Sequence, residues 1–399
     1  MRRIIIAFTF LGVAIFAEIL SYLAFRRIFK NSKRFNWIWW ITTVLFYGIF
    51  IVSQKYAPNH LRNWLVNVFF IIVITKLFAG LTFVIAELIR LSRNIIQKPT
   101  PEMSVSRREF SGKIALGVAS LPFVSMNWGI FKTAYNFRID RETIKIPNLP
   151  KVFRGFKIVQ ISDIHTGSLQ NHHQLQKAID LILEQKADLI CFTGDLVNNR
   201  TDEVEPYIEQ LQQIRAPYGV FSTLGNHDYG DYEEWESVEA KEQNFNAMLK
   251  AHQKIGWRLL MDEHVSIEKD GDKFFLIGVQ NWGASYHFPK YGNLKKAYEG
   301  VEKEVAKILL SHDPSHFDVE VSNDYKDIQL TLSGHTHGFQ FGVEIPGYVK
   351  WSPAQYIYKR WAGLYAKGDQ QIYVNRGLGC LGYMGRIGIR PEITVITLA

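Results

Sequence analysis

A chain of 399 residues leaves room for one large domain and an accessory region. The formal net charge of +8 is unevenly distributed: residues 1 to 135 hold 17 Lys and Arg against 4 Asp and Glu, a balance of +13, and the remaining 29 and 34 give −5. Because a nucleic-acid partner requires a basic surface, the acidic balance of the C-terminal part argues against such a partner. The chain has two isolated cysteines, Cys191 and Cys380, which argue against a disulfide framework or a thiolate metal site.

Long apolar segments open the chain, at residues 4 to 25, 36 to 53 and 64 to 89. Each is long enough to cross a hydrocarbon core of roughly 30 Å at about 1.5 Å per helical residue. None shows the polar face that a soluble helix presents at a 3.6-residue period. We therefore predict a transmembrane anchor over residues 1 to 135. A fourth segment, residues 114 to 131, is shorter and contains Pro122.

Basic residues are concentrated in the first and third loops between these segments, which predicts that both loops are cytoplasmic. Residues 106 to 110, Ser-Arg-Arg-Glu-Phe, are similar to a twin-arginine export signal, and an ordinary basic flank of a membrane helix accounts for them equally well. If the fourth segment spans, everything after about residue 132 lies outside the cytoplasm, which is the expected topology. If it does not span, the C-terminal part faces inward.

Glu87 falls near the end of the third predicted span, and two further charged residues, Glu18 and Lys76, fall deeper inside the spans. Intramembrane charges are costly and call for a partner or a function. We expect Glu18 and Lys76 to form a polar pair between packed helices, with a role in transport or sensing as the alternative.

Short apolar runs alternate with amphipathic segments from residue 155 onward, and we assign residues 136 to 399 to one domain. The predicted strands are Phe156 to Ile161, Asp188 to Phe192, Val220 to Leu224, Val265 to Ile267, Phe274 to Val279, Ile308 to Leu310, Gln329 to Leu332, Gln371 to Asn375 and Ile393 to Leu398. Helices are predicted at His172 to Gln185, Asp202 to Ile214 and about Glu233 to Ile255. Alternating β and α elements followed by strands predict a layered α/β domain.

Five short motifs follow these strands in order. They are Asp163-Ile164-His165, Gly194-Asp195, Gly225-Asn226-His227-Asp228, His312 and Gly334-His335-Thr336-His337. Ligands gather beyond the carboxyl ends of strands in open α/β sheets, and each motif stands at such an end. Singly, most of these motifs are weak signals, but their joint occurrence predicts a metal centre.

The side chains of the motifs add up to two metal shells with one shared carboxylate. Asp163 and His165 lie two residues apart, so an extended chain would point both the same way. The count gives Asp163, His165, Asp195 and His337 for one ion, and Asp195, Asn226, His312 and His335 for the other. Mixed oxygen and nitrogen donors suit Mn²⁺, Fe or Zn²⁺ better than Mg²⁺ or Ca²⁺, and Mn²⁺ is our first expectation.

Two ions about 3.5–4 Å apart would hold a phosphoryl group and activate a water molecule. His227 is left over and is predicted to act as a general acid toward the leaving group, with Asp228 orienting its ring. His287 lies in an aromatic stretch and is left open, whereas other histidines fit no motif.

These motifs resemble the calcineurin-like metallophosphoesterase superfamily over roughly residues 150 to 399. Within this superfamily, the chain is similar to a membrane-anchored bacterial branch that includes UDP-2,3-diacylglucosamine hydrolases. Two C-terminal motifs also resemble that branch, namely Asn375-Arg376-Gly377-Leu378-Gly379 and Pro391-Glu392-Ile393. The resemblance implies a four-layer α/β/β/α sandwich, a dinuclear site with the seven ligands named above, and His227 beside the leaving group. It also implies a bacterial cytoplasmic membrane, and the loop charges described above predict that the domain lies on its outer side.

Two departures from that branch, Phe339 after Gly338 and Gln280-Asn281-Trp282 after a predicted strand, imply a different substrate choice. Aromatic loops at residues 281 to 291 and 339 to 365 suggest a lipid-facing lip, the alternative being loops that pack their own aromatics; their members are Trp282, Phe288, Phe339, Trp351, Tyr356, Tyr358 and Trp361. Arg376 is predicted either to hold a substrate phosphate or to tie the C-terminal loop.

The sequence thus predicts a membrane-anchored phosphoesterase that hydrolyses a phosphodiester or pyrophosphate bond in a lipid or nucleotide-lipid substrate. The alternative is a catalytically silent interaction or sensor module that retains the fold. Retention of all seven ligands and His227 favours the enzyme. The expected partners are the membrane and a phosphoester substrate, and the sequence identifies no protein partner.

Overall fold

The computed structural model describes residues 2–29, 32–57, 59–96, 101–170, 172–286, 288–345 and 347–399. The described chain forms two compact units, Met1–Ile130 and Phe131–Ala399. His287 lies outside the described residues. The domain boundary after residue 135 stays a prediction.

Long helices make up the first unit. They are α1 (Arg2–Ile28), α2 (Lys33–Tyr56), α3 (Asn59–Ile96) and α4 (Pro101–Phe131). Three stretches of the described residues are long and apolar enough to cross a membrane, namely Lys33–Tyr56, Leu61–Arg93 and Phe110–Tyr135. The third contains the predicted fourth segment, and α4 continues through Pro122. A crossing by residues 4 to 25, which lie within α1, stays a prediction.

The predicted pair of intramembrane charges is confirmed. The amino group of Lys76 on α3 lies 2.6 Å from a carboxylate oxygen of Glu18 on α1. The other oxygen of Glu18 accepts a hydrogen bond of 2.7 Å from Thr43 on α2. One carboxylate therefore links three helices, and both of its oxygens are satisfied, which is the condition under which a buried charge is tolerated.

Fourteen strands are described in the second unit. They are β1 (Arg138–Ile144), β2 (Lys157–Ile161), β3 (Leu189–Phe192), β4 (Val220–Ser222), β5 (Arg258–Leu259), β6 (Glu263–Lys269), β7 (Asp272–Gly278), β8 (Lys307–Leu310), β9 (Leu330–Ser333), β10 (Val343–Ile345), β11 (Val349–Trp351), β12 (Gly363–Lys367), β13 (Gln370–Val374) and β14 (Glu392–Leu398). The described α-helices are α5 (His172–Glu184), α6 (Ile208–Leu211), α7 (Val238–Ile255), α8 (Leu294–Ala297) and α9 (Ser322–Asp324).

Two mixed sheets of six strands form the centre of this unit, in the orders β1-β14-β2-β3-β4-β5 and β12-β13-β9-β8-β7-β6. β2 to β5 run parallel in the first sheet, and β7, β8, β9 and β13 run parallel in the second. Apolar side chains of both sheets, such as Leu189 and Leu330, pack into one shared core. Further clusters cover the outer face of each sheet. The α/β layered fold is confirmed.

The largest error concerns the helix expected over Asp202 to Ile214. The chain there makes short turns at Thr201–Glu203 and Glu205–Tyr207, and only Ile208–Leu211 is α-helical. Pro206 stands inside the second turn and can donate no backbone hydrogen bond, so it interrupts the pattern. The later helix begins at Val238, because the hydroxyl of Ser237 caps it by accepting from the amide of Ala240.

Candidate metal centre

All five motifs follow parallel strands. The first three motifs come after β2, β3 and β4 of one sheet, and the last two come after β8 and β9 of the other. The carboxyl ends of parallel strands lie at one edge of a sheet, which concentrates the motif side chains there. The motif side chains from these edges of the two sheets meet in one buried cluster.

One group of donors consists of Asp163, His165 and His337, all of them buried. Nε2 of His337 lies 3.2 Å from Oδ1 of Asp163 and 3.0 Å from Nε2 of His165. Two strand ends from different sheets therefore supply one cluster.

A second group consists of Asp195, His312 and His335. Nε2 of His312 lies 3.1 Å from Oδ2 of Asp195 and 3.2 Å from Nδ1 of His335. The same Oδ2 of Asp195 lies 3.6 Å from Nε2 of His165 in the first group. Asp195 thus stands between the two groups, in the position expected of a shared carboxylate.

Asn226 completes the predicted set. Its amide nitrogen donates a 2.8 Å hydrogen bond to the hydroxyl of Tyr232, which directs the carbonyl oxygen the other way. That oxygen is buried without a hydrogen-bond partner in the described structure. A buried unpaired acceptor is costly unless something electropositive binds it.

Divalent ions fit this arrangement. Donor atoms about 2.1 Å from a common ion stand roughly 3 to 3.4 Å apart around it, which matches the separations within each group. The short distances between imidazole nitrogens have the same explanation, because two lone pairs facing each other repel unless a proton or cation lies between them. The donor set of carboxylate, imidazole and one amide oxygen suits Mn²⁺, Fe or Zn²⁺.

Backbone contacts fix two of the rings. Nδ1 of His165 lies 3.1 Å from the carbonyl oxygen of Val197, and Nδ1 of His312 lies 2.7 Å from that of Thr193. A carbonyl oxygen accepts only, so each Nδ1 carries the proton and each Nε2 presents its lone pair to the site.

The local backbone differs from the extended geometry that the sequence suggested. Asp163, His165 and Asp195 have φ values of 49°, 47° and 60°, and His335 and His337 have 72° and 50°. Left-handed backbone, rather than strand alternation, therefore directs these side chains inward. Such conformations are unfavourable for residues with a Cβ and occur where a functional arrangement requires them.

Electrostatics keep the carboxylates charged. Burial raises the pKa of Asp195, but the charges of His312 and His227 outweigh it and hold that pKa well below its ordinary value. Burial lowers the pKa of His312, and Asp195 and Asp163 overcome it and raise this pKa to about 10. Without a metal ion, a proton on Nε2 of His312 gives the buried carboxylates a compensating positive charge. A bound cation would supply the same compensation and would leave that Nε2 with its lone pair.

His227 is half-buried at the edge of this cluster, and its orientation corrects one prediction. Its Nδ1 lies 2.5 Å from the carbonyl oxygen of Asn198, which therefore orients the ring. Asp228 instead accepts hydrogen bonds from the backbone amides of Asp195, Leu196 and Gly225. The predicted role of Asp228 as the group that orients His227 is wrong, because its oxygens are engaged in holding the Asp195 loop.

Arg376 occupies a structural position. Its side chain is 3% exposed and forms ion pairs with Glu392, with Glu344 at 2.6 Å and with Asp140 at 3.4 Å. A guanidinium that pairs with three carboxylates has no two adjacent N–H groups left to bind a phosphate in bidentate fashion. This arrangement favours the structural alternative, in which Arg376 ties the C-terminal loop.

Asp313 and Arg386, which lie near the site, were missed from the sequence, and Tyr358 was expected only as a member of an aromatic loop. Oδ2 of Asp313 lies 3.7 Å from Nε2 of His335, and the hydroxyl of Tyr358 lies 2.8 Å from the same nitrogen. The fully buried Arg386 donates to the carbonyl oxygens of Arg376 and Gly379 and lies 3.3 Å from Nδ1 of His337. Only Asp313, next to a motif histidine, offered a signal in the sequence.

Comparison with protein families gives two adjoining matches. Residues 1–134 match a family described as "Probable Calcineurin-like phosphoesterase, transmembrane domain", and residues 156–339 match "Calcineurin-like phosphoesterase". The second match contains all seven predicted ligands and His227.

Individual proteins agree with these families. The chain is 33% identical over 263 residues to the metallophosphoesterase YkuE of Bacillus subtilis, covering 64% of this chain and 83% of the relative. It is 25% identical over 410 residues to a metallophosphoesterase of Campylobacter jejuni, covering 99% of both chains. Among solved structures, a 5'-nucleotidase precursor from Thermus thermophilus matches with a TM-score of 0.37 and 12% identity, over 56% of this chain and 49% of that one. The closer resemblance to UDP-2,3-diacylglucosamine hydrolases stays a prediction.

Proposed function

The chain belongs to the calcineurin-like metallophosphoesterase family, and from that premise we propose that it is a membrane-anchored hydrolase that cleaves a phosphodiester or pyrophosphate bond with two divalent metal ions. The observation that carries this proposal is the pair of donor groups that share Asp195. Asp163, His165, Asp195 and His337 would hold one ion, and Asp195, Asn226, His312 and His335 the other, with Mn²⁺ as the first candidate.

Bound ions would withdraw charge from the phosphoryl oxygens and lower the pKa of a water molecule at the site. The protein supplies the remaining functions. The rings of His165 and His312 are held by backbone carbonyls, so they need no reorganisation when the substrate binds. Asp163 accepts the backbone amide of His335 at 3.0 Å, which ties the β2 loop to the β9 loop.

His227 is proposed to protonate the leaving oxygen. Since its Nδ1 donates to the carbonyl oxygen of Asn198, the nitrogen that gains and loses a proton is Nε2. Its backbone amide donates to Oδ1 of Asp195 at 2.9 Å, which fixes the residue beside the shared carboxylate. A proton delivered to the leaving alkoxide or phosphate makes bond cleavage easier by general acid catalysis.

The substrate is proposed to be a lipid or nucleotide-lipid phosphoester, cleaved on the extracytoplasmic side. The lipid-type substrate is supported by the presence of membrane-spanning stretches and a metallophosphoesterase domain in one polypeptide. The extracytoplasmic side is supported by the basic residues of the first and third loops. An enzyme held at a bilayer gains effective concentration toward substrates that are held there too.

The alternative is a module that keeps the fold without catalysis. A silent module has no reason to retain buried carboxylates beside imidazole lone pairs, because such groups are costly unless a cation satisfies them. The unpaired oxygen of Asn226 argues in the same direction.

The test is Mn²⁺-dependent hydrolysis by the full chain in lipid nanodiscs. Bis-p-nitrophenyl phosphate and p-nitrophenyl phosphate serve as diester and monoester, beside an Asp195→Asn variant. Diester turnover that chelation and the substitution both abolish supports the proposal. A folded, metal-loaded protein that cleaves neither compound, nor a lipid pyrophosphate, would favour the silent module.

A further inference from the structure

The hairpin of β10 and β11 has an unusual distribution of side chains. In its antiparallel register Val343 pairs with Trp351 and Ile345 with Val349, while Glu344 pairs with Lys350. Successive strand residues point to opposite faces, so one face is wholly apolar and the other wholly charged. We call the face formed by Val343, Ile345, Val349 and Trp351 the apolar hairpin face.

The charged face is the one that contacts the protein. The carboxylate of Glu344 is 11% exposed and lies 2.6 Å from both Arg138 and Arg376. The amino group of Lys350 donates to the carbonyl oxygen of Ala362 and lies 5.3 Å from the centre of the Trp361 ring. These contacts fix which way the hairpin is turned.

The apolar hairpin face points away from the described protein. Val343, Ile345 and Val349 are 47%, 51% and 44% exposed, and Tyr348 in the connecting turn is 88% exposed. Trp351 is half-buried, with its ring edge-on to Phe341. In water, a two-stranded ribbon is more stable with its apolar face packed against the protein and its charged face exposed. An exposed apolar face of this kind marks a contact surface.

The exposed apolar surface continues toward the metal centre. Phe339 and Phe341 precede the hairpin, and Tyr356 and Ile357 follow it, all of them exposed. The neighbouring Tyr358 reaches His335 with its hydroxyl. Other aromatics of these loops are packed internally, as the alternative in the sequence analysis expected, since Trp361 is buried and Trp282 stacks on His316. The exposed surface thus borders the catalytic groups.

Chain connectivity indicates what covers this surface. Arg138, the ion-pair partner of Glu344, stands three residues after Tyr135, where the last membrane-spanning stretch ends. Three extended residues reach at most about 10 Å. The strand to which the hairpin is fixed is therefore tethered within a short distance of the point where the chain leaves the apolar stretch.

We propose that the apolar hairpin face lies in the interfacial layer of the bilayer that the chain itself spans. Aliphatic side chains with flanking Tyr and Trp are the composition that partitions there. The consequence for catalysis rests on the proposed function: the hairpin brings the metal centre to phosphoesters carried by lipid headgroups.

The test measures the membrane depth of the turn in the full chain. Cys191 and Cys380 are both buried, so a Tyr348→Cys variant can be labelled selectively with an environment-sensitive nitrobenzoxadiazole dye. In nanodiscs, lipids with a spin label near the headgroup should quench this dye. A dye on Asp270→Cys, in the exposed turn between β6 and β7, serves as the control and should not be quenched.

Equal quenching at both positions, or none at position 348, would overturn the proposal. A blue-shifted dye at position 348 that lipid spin labels do not quench would assign the face to a second copy of the chain instead. No turnover is needed, so this result stands whether or not the protein proves to be a hydrolase.

A second variant tests the catalytic consequence. Val349→Asp places a charge on the apolar hairpin face and should weaken its insertion. Hydrolysis of a vesicle-embedded phosphodiester should then fall about tenfold relative to hydrolysis of dissolved bis-p-nitrophenyl phosphate, which corresponds to about 1.4 kcal/mol. An equal loss on both substrates would mean that the hairpin merely supports the site, which contradicts the proposal.

Discussion

The two units of the chain differ in how their buried charged groups are paired. In the helical unit, the carboxylate of Glu18 is satisfied by Lys76 and Thr43 from neighbouring helices. In the second unit, the donors around Asp195 face one another, and the oxygen of Asn226 has no partner in the described structure. Buried charges that are paired with opposite charges and hydrogen-bond partners are compatible with a stable fold. Buried donor atoms that face one another without a cation between them require a ligand.

A network of paired charges also lies next to the metal centre. Arg376 is surrounded by Glu392, Glu344 and Asp140, although its Nε has no hydrogen-bond partner in the described structure, and it follows β13 at the same sheet edge as the motif residues. Position in the fold therefore does not separate function from structure here. Charge pairing does, because the carboxylates around Arg376 face a cation whereas the donor atoms around Asp195 face one another, and five substitutions test that distinction.

The largest effect is expected from Asp195→Asn. Loss of the shared carboxylate charge removes the group that both sets of donors have in common, and with it several kcal/mol of charge stabilisation in the transition state. We expect diester hydrolysis to fall more than about a thousandfold, with weaker Mn²⁺ binding by calorimetry. Asp270→Asn in the exposed β6–β7 turn is the matched control, and comparable losses in both variants would refute the assignment.

The substitution His227→Gln should lower kcat by about 10²- to 10⁴-fold for an alkyl leaving group, the range of general acid catalysis. The loss should shrink for p-nitrophenolate, which needs little protonation to leave. Bound metal should remain, because His227 belongs to neither donor group. His172→Gln on the surface is the control, and an equal loss for both leaving groups would exclude proton donation.

Breaking the ion-pair network at Arg376 should affect stability rather than chemistry. Arg376→Met leaves Glu392 buried without its cation, which costs about 3–5 kcal/mol. Denaturant unfolding of the second unit should show this loss, with metal affinity unchanged in the folded protein. The exposed Arg141→Met is the control. A variant of normal stability that had lost substrate affinity would restore the phosphate-binding interpretation.

His252 tests the case of a buried imidazole outside the metal centre, since its Nε2 has no hydrogen-bond partner in the described structure. Burial lowers its pKa to about 4, so the folded protein holds it neutral. Because the unfolded chain binds the proton more readily, stability should be full above about pH 6.5 and fall by roughly 3 kcal/mol as the pH drops to 4. His252→Phe should flatten this part of the pH profile of unfolding, and an unchanged profile would contradict the burial argument.

The smallest effect is expected in the helical unit. Lys76→Met removes one partner of Glu18 but leaves Thr43, so we expect a loss of about 1 kcal/mol, the scale of polar contacts between membrane helices. Thermal melting of the full chain in detergent measures it, with the exposed Lys55→Met as control. Unaltered melting together with lost hydrolysis would instead indicate that the pair takes part in sensing.

Sequence patterns predicted the site better than they predicted the elements around it. The seven predicted ligands follow strand ends, and strand ends are marked by an apolar run that gives way to polar residues, as before Asp163 or His312. The group that orients His227 was missed because it is a backbone carbonyl, and the side chain of Asn198 carries no information about it.

Edge strands were missed for a related physical reason. β1 reads Arg-Ile-Asp-Arg-Glu-Thr-Ile, and its charged residues hide the period. Pairing with β14 and ion pairs hold this strand together with the few apolar side chains that it buries, such as Ile144. The hairpin of β10 and β11 shows the period clearly, yet a pattern of alternation cannot say which face is inside. The ion pairs of Glu344 determine which face is inside, and its partners Arg138 and Arg376 stand 206 and 32 residues away in the sequence.

The left-handed backbone at five ligand positions also has an evolutionary consequence. An L-residue other than glycine pays roughly 1–2 kcal/mol for this conformation, and Asp and Asn pay less than His. As long as catalysis is selected, the cost is retained. A duplicate of this domain released from that selection would gain stability by acquiring Gly or Asn at His165, His335 or His337. Those substitutions would therefore mark descendants that keep the sandwich after hydrolysis has been lost.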